Sequence, residues 1–252
     1  MGLRGRSRAR RYDLGEMTLT AKLLTEFVGT FLFLIVISLA GPIGPLAPLA
    51  IGAALMTMVY MGGHVSGAHY NPAVTFALFL RRKISASDMG LYWLVQLAAA
   101  VAAFAFGYLV SGHSGGIHPG PKVEWLQALA VEVAFTTALA LVVLNVAATN
   151  ITQGNSFYGL AIGFTVAAGA FAVGPISGGA FNPAVGFGAT AGAALFAGGG
   201  WSDLWLYFVG PLLGAAIGAG IHRVQMAGGE EFERKDDRTL EEQALDPLHP
   251  PA

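Results

Sequence analysis

Two asparagines, Asn71 and Asn182, stand in the same setting, each followed by Pro and Ala. An Asn side chain can accept a hydrogen bond through its carbonyl oxygen and donate two through its NH2 group, but it cannot act as a proton-transfer base or a nucleophile. The chemistry on offer is hydrogen bonding to a polar molecule. Asn-Pro is also how a helix begins: Asn caps the free backbone N–H groups, and Pro fits the first helical position, where its missing N–H costs nothing. If the Asn oxygens cap, the amide NH2 groups point away from the helix, into whatever space lies before it. One Asn-Pro-Ala alone is simply a helix start.

The two copies belong to a longer phrase. From Gly63 the chain reads GHVSGAHYNPAV and from Gly174 it reads GPISGGAFNPAV, with seven of twelve positions identical at an offset of 111 residues, close to half of the 252-residue chain. That is the mark of an internal duplication. After Asn71 the apolar run reaches Leu80 and stops at Arg81, Arg82 and Lys83. Ten helical residues span about 15 Å, half of a hydrocarbon core of about 30 Å. Each copy thus reads as a helix that starts at the middle of a membrane and leaves by one face.

The elements that must hold these half-helices are membrane spans. Hydrophobic residues make up 54% of the chain and charged residues only 12%, and 35 glycines suit closely packed membrane helices. Spans are expected at about Thr18–Ala40, Pro48–Met61, Asp88–Val110, Trp125–Ala148, Phe157–Val173 and Trp201–His222. The fold class is an all-α membrane protein with six transmembrane helices plus two re-entrant half-helices. Three crossings per repeat is an odd number, so the second repeat is inverted relative to the first and the half-helices meet tip to tip. The repeats cover about 18–111 and 122–225 within a channel unit of 18–225. Residues 1–17, with five arginines, and 226–252, with eight acids, read as disordered arm and tail.

Charge fixes the expected orientation. With both termini cytoplasmic, only Lys122 of the 14 Lys and Arg residues falls in an outer loop. Glu26-x-x-x-Thr30 and Glu132-x-x-x-Thr136 repeat in the first and fourth spans, and these two glutamates are the acids deepest in the spans. They read as structural: each accepts hydrogen bonds from the N–H groups of its own re-entrant loop, where backbone lacks helical partners. His64 reads as lining the inner vestibule, and His69 as structural. Neither has the partners a metal site needs, and the chain has no cysteine. Gly210, Gly214 and Gly218 form a close-packing face, with the Ala-rich third span as the expected neighbour.

The paired NPA motifs (Asn71, Pro72, Ala73 and Asn182, Pro183, Ala184), with Ser-Gly before and Val after each, closely resemble the aquaporin and glycerol-facilitator, or major intrinsic protein, family. The resemblance covers about residues 18 to 225 and extends to Gln96 and Gly210-Pro211-x-x-Gly214. It implies a homotetramer with one pore per subunit, in the plasma membrane, passing water or small uncharged solutes such as urea, glycerol or ammonia passively, with the NPA motifs at the pore centre. It also implies an outer selectivity filter at Ile51, Ala170, Gly179 and Val185. The family usually has an Arg where this chain has Val185, so the filter is expected to be wide, apolar and without a fixed cation. Two other classes carry a similar layout. An ion-coupled secondary transporter would place a coupling carboxylate at the midplane, and a structural membrane protein would keep the pore closed. Nothing groups as nucleophile, base and orienter, and no motif asks for a cofactor, so an enzyme is not expected.

Overall fold

The structure is a computed structural model in which residues 17–113 and 116–227 are described. The arm and the tail expected at the two ends lie almost wholly outside the described residues.

The order of helices follows the duplication. The first repeat contributes α1 (Leu19–Leu39), α2 (Ala47–Ser66), the short α3 (Pro72–Leu80) and α4 (Ala86–Ser111). The second contributes α5 (Trp125–Ala147), α6 (Tyr158–Ser177), α7 (Pro183–Phe196) and α8 (Leu206–Gln225). Local chemistry sets the ends. Thr18 Oγ1 accepts from Ala21 N at 3.2 Å before α1, and Ser85 Oγ accepts from Asp88 N at 3.1 Å before α4. Glu124 and Gln127 form a reciprocal capping box before α5. The helices α2 and α6 stop at Gly67 and Gly178, whose φ values of 87° and 89° are open to glycine and strained for other residues.

Three boundaries differ from the sequence expectation. The helix α2 runs on past Met61 to Ser66, and α6 past Val173 and through Pro175 to Ser177, because the helix stop in each repeat is the left-handed glycine, Gly67 or Gly178. The last helix begins at Leu206, after a turn at 201–205, and not at Trp201. The half-helices are also unequal: α3 has 9 residues and α7 has 14, since the basic stop of Arg81–Lys83 has no counterpart after α7.

Five of the described helical stretches are long and apolar enough to cross a membrane, beginning with α1 and α2 and followed by α4, α5 and α6. The sixth expected span, α8, is as long as α2 and α6 at 20 residues, but its glycines and its His222–Arg223 end dilute its apolar character. The packing is paired across the two repeats. In each, the first helix packs on the second and fourth, α1 on α2 and α4, and α5 on α6 and α8. The two second helices, α2 and α6, meet at the centre. Each short helix crosses over, α3 packing on α8 and α7 on α4.

The glycine face of α8 meets α5, not the third span. A Cβ at Gly210 would lie 2.7 Å from Glu132 Cβ, one at Gly218 2.8 Å from Ala140 Cβ, and one at Gly214 2.8 Å from Thr136 Cβ. The reason is that the last helix of each repeat packs on the first of its own repeat. The Ala-rich third span, α4, instead receives Gly188 of α7, against Ala100 and Phe104.

The Gly214 position generates a test. A branched side chain there meets the Val133 carbonyl and Thr136, neither of which can swing aside, so Gly214→Val is expected to cost about 1–3 kcal/mol. A Cβ at Gly220 on the same helix meets nothing within 4 Å. Thermal unfolding in detergent should show a clear loss for Gly214→Val and none for Gly220→Ala.

Candidate functional site: the junction of the two half-helices

The half-helices are held where they meet by their own asparagines. Asn71 Oδ1 accepts from Ala73 N at 2.8 Å and Asn182 Oδ1 from Ala184 N at 2.9 Å, so both side chains cap the helices they precede. Their amides do not both remain free. Asn71 Nδ2 donates to the Phe181 carbonyl at 2.9 Å, and Asn182 Nδ2 donates to the Tyr70 carbonyl at 2.9 Å. Each asparagine thus caps its own helix and ties itself to the other repeat, leaving one of two amide N–H groups unspent.

The loops leading to these asparagines carry unusual backbone. Gly67, Ala68 and Tyr70 have φ of 87°, 51° and 49°, and Gly178, Gly179 and Phe181 repeat the pattern at 89°, 65° and 49°. A bulky residue at positive φ is strained and persists only where its surroundings fix it. The fixing group is a buried carboxylate. Glu26 Oε1 accepts from Ser66 Oγ at 2.7 Å and His69 N at 2.9 Å, while Oε2 accepts from Tyr70 N at 2.8 Å and Gln96 Nε2 at 2.9 Å. Glu132 accepts from Ser177 Oγ at 2.7 Å, Ala180 N at 2.9 Å and Phe181 N at 2.8 Å. Both glutamates are wholly buried. Tyr92 and Tyr207 hydroxyls then donate to the Ser66 and Ser177 carbonyls at 2.9 and 2.7 Å, closing each turn from the last helix of its repeat.

The two repeats are not identical. Gln96 gives Glu26 a fourth donor, and the matching position in the second repeat, four residues past Tyr207 as Gln96 is past Tyr92, is Pro211, which has no side-chain donor. The Tyr70 ring fills space left by Gly29 and Gly62, where any Cβ would overlap it, and its hydroxyl donates to the Met58 carbonyl at 3.1 Å. Phe181 sits against Gly169 and stacks on Phe135 at 5.6 Å.

A cavity of about 20 Å³ lies at the junction, with Asn71 and Asn182 in its wall and Val59, Val74, Leu139 and Ile162 among its apolar lining. That is room for about one water. Its wall carries the two polar amides and the His69 imidazole among apolar side chains, at the meeting point of two helix N-termini that carry partial positive charge. Such a place favours a neutral hydrogen-bonding molecule and disfavours a cation.

The other expected site residues lie elsewhere. Gly179 and Ala170 are neighbours: a Cβ on Gly179 would lie 3.4 Å from Ala170 Cα. Ile51 is half-buried against the apolar core, on α2 beside Gly52, which touches α6 at Gly163 and Ala167. Val185 is only 2% exposed and packs in that same core. His64 is exposed in the last turn of α2. None of these five lines the junction cavity. Ser66 and Ser177, read in the sequence only as part of the repeated phrase, and Tyr92 and Tyr207, not read there, also take part. The serines stand at matching positions of the repeated phrase, which is the signal that marks them; the tyrosines lie outside it and carry none.

Residues 13–222 match a sequence model of the family described as "Major intrinsic protein". Among similar proteins, aquaporin NIP3-1 of Oryza sativa subsp. japonica is 35% identical over 82% of this chain and 68% of its own. Probable aquaporin TIP3-2 of the same plant is 33% identical over 88% and 87%. A glycerol uptake facilitator protein-like 6 of Lactiplantibacillus plantarum is 36% identical over 81% and 97%. The fold is similar to the X-ray structure of the aquaglyceroporin from Plasmodium falciparum, with a TM-score of 0.71 at 20% identity, covering 81% of this chain and 96% of that one.

Substitutions at two residues probe the junction. Glu132→Ala strands the N–H groups of Ala180 and Phe181, at about 1–3 kcal/mol each. Glu132→Gln keeps one acceptor oxygen, so thermal unfolding should rank parent, Gln and Ala in falling stability. Asn182→Asp keeps the cap but sets an oxygen against the Tyr70 carbonyl in place of a donor. It should cost about 1–3 kcal/mol and admit cations, read as proton or Na⁺ leak into proteoliposomes that the parent excludes.

Proposed function

The chain belongs to the major intrinsic protein family of passive membrane channels for water and small solutes, and from that premise we propose that it conducts small uncharged solutes wider than water through an outer filter without a fixed cation. The channel unit is residues 18–225, with Asn71, Pro72, Ala73, Asn182, Pro183 and Ala184 at the pore centre and His64 in the inner vestibule. The filter is Ile51, Ala170, Gly179 and Val185. The active form is a homotetramer in the plasma membrane with both termini cytoplasmic.

One observation carries this reading: both asparagines line a single cavity, and each keeps one amide N–H that no group among the described residues takes. A solute crossing there accepts one hydrogen bond from each repeat. Selectivity is then a matter of the outer filter. Gly179 offers no side chain beside Ala170, and the residue three positions past Asn182 is an apolar Val. Without an Arg, a glycerol or urea molecule meets less steric resistance, and exclusion of cations falls to the two helix termini at the centre. A carboxylate available for ion coupling is not needed in this scheme, because Glu26 and Glu132 are engaged in holding the loops.

Stopped-flow light scattering on proteoliposomes tests it. Water, urea and glycerol should all permeate without saturation and without an ion gradient. Val185→Arg should slow urea and glycerol by about tenfold, the effect of about 1.4 kcal/mol added to the barrier, with a smaller effect on water. A parent that passes water only, unchanged by Val185→Arg, would overturn the filter assignment. Uptake that requires a Na⁺ or proton gradient would overturn the channel reading.

A further inference from the structure

A second cavity, of about 350 Å³, opens on the basic end of the bundle, between the first turn of α1, the end of α2 and the turn into α4. Lys22 and Lys83 both line it, with Ser85 and Asp88 at the start of α4 and with Ser66 and His69 of the first re-entrant loop as its floor. The polar wall groups are engaged: Ser66 Oγ serves Glu26, His69 Nδ1 lies 3.1 Å from Thr75 Oγ1, and Ser85 Oγ accepts from Asp88 N. The two ammonium groups are not. Among the described residues no carboxylate lies within 4.0 Å of either, Asp88 included.

Two lysines facing one polar recess, with no carboxylate partner among the described residues, call for an anion. Lys22 sits one turn into α1 and Lys83 in the turn after α3, at the ends of apolar helices, so the mouth of the recess is set at the depth of lipid headgroups. The anion abundant at that depth is phosphate, for which lysine is an ordinary point-charge partner. We propose that this recess is a phosphate-binding site, with Lys22 and Lys83 gripping the phosphate, filled by a phospholipid headgroup or by a soluble phosphate ester. Asp88, in the same wall, ranks a phosphodiester or a phosphate with an attached ammonium above a doubly charged monoester, without excluding the latter from between two lysines. The site bears on the pore through His69, which lines both this recess and the junction cavity. A bound phosphate therefore buttresses the loop that presents Asn71.

The test uses the full-length protein in detergent, titrated with phosphatidylethanolamine, phosphatidylglycerol, phosphate-free diacylglycerol and soluble glycerol 3-phosphate, with binding read by native mass spectrometry and by melting temperature. Parent protein should bind at least one phosphate-bearing ligand with a rise in melting temperature, and diacylglycerol should give neither. The Lys22→Gln/Lys83→Gln double variant should weaken that binding by about 30-fold, at the usual contribution of two basic residues near a membrane surface, and lose the thermal shift. Lys22→Arg/Lys83→Arg should retain both, which separates lost binding from lost folding. Arg82→Gln, an exposed cation outside the recess, should change nothing. Lysine-dependent binding of the lipids alone assigns the site to a headgroup, and of glycerol 3-phosphate alone to a soluble ester. Binding that survives the double Gln variant, or that falls equally with Arg82→Gln, overturns the proposal.

Discussion

Hydrocarbon offers no hydrogen bonds, so a chain that turns back halfway through it must find partners for every N–H the turn exposes. Here one carboxylate per repeat answers that demand. Glu26 and Glu132 each accept two consecutive backbone N–H groups and a serine hydroxyl, and in doing so hold an aromatic residue at positive φ directly before the helix-capping asparagine. The direction of α3 and α7, the position of both asparagine amides and the cavity between them all follow from those bonds. A buried charge is costly unless fully hydrogen-bonded. In the first repeat four donors surround it, and in the second three do.

Close packing is the second requirement, and glycine meets it in two distinct ways. On α8 the glycines bring two helix backbones together, with Gly210, Gly214 and Gly218 seated along α5. Around Tyr70 they do the opposite, vacating space on α1 and α2 so that one large ring can stand between helices. The ring in turn anchors the strained loop through its hydroxyl on Met58. Glycine spacing alone does not distinguish the two uses.

Much of this arrangement was legible in the chain because its determinants are local or duplicated. Asn-Pro as a helix start, the span positions, the inverted repeat and the structural use of Glu26 and Glu132 each depend on residues near one another or written twice. What was not legible depends on distant partners. The sequence cannot say that Asn71 spends an amide proton on the Phe181 carbonyl, because nothing in a residue's type names a backbone acceptor 110 positions away. The neighbour of the α8 glycines was misread for the same reason: two helices of small residues, α4 and α5, are both chemically suitable, and topology makes the choice. The ends of α2 and α6 were placed too early, at Met61 and Val173, because the chain was expected to dive at once into each half-helix, whereas both helices run on to a left-handed glycine.

The crossed bonds also bear on how such a chain is made. Synthesis runs from the N-terminus, so α3 and Asn71 emerge before the Phe181 carbonyl exists and long before α8, the helix on which α3 packs. For that interval the nascent first half holds a re-entrant segment with one amide unanswered and one face bare. The half-made chain cannot finish its own pore, whatever the insertion machinery does for its spanning helices. Completion comes in two parts: the second asparagine and its loop answer the first pair of crossed bonds, and only α8, the last helix made, covers the face of α3.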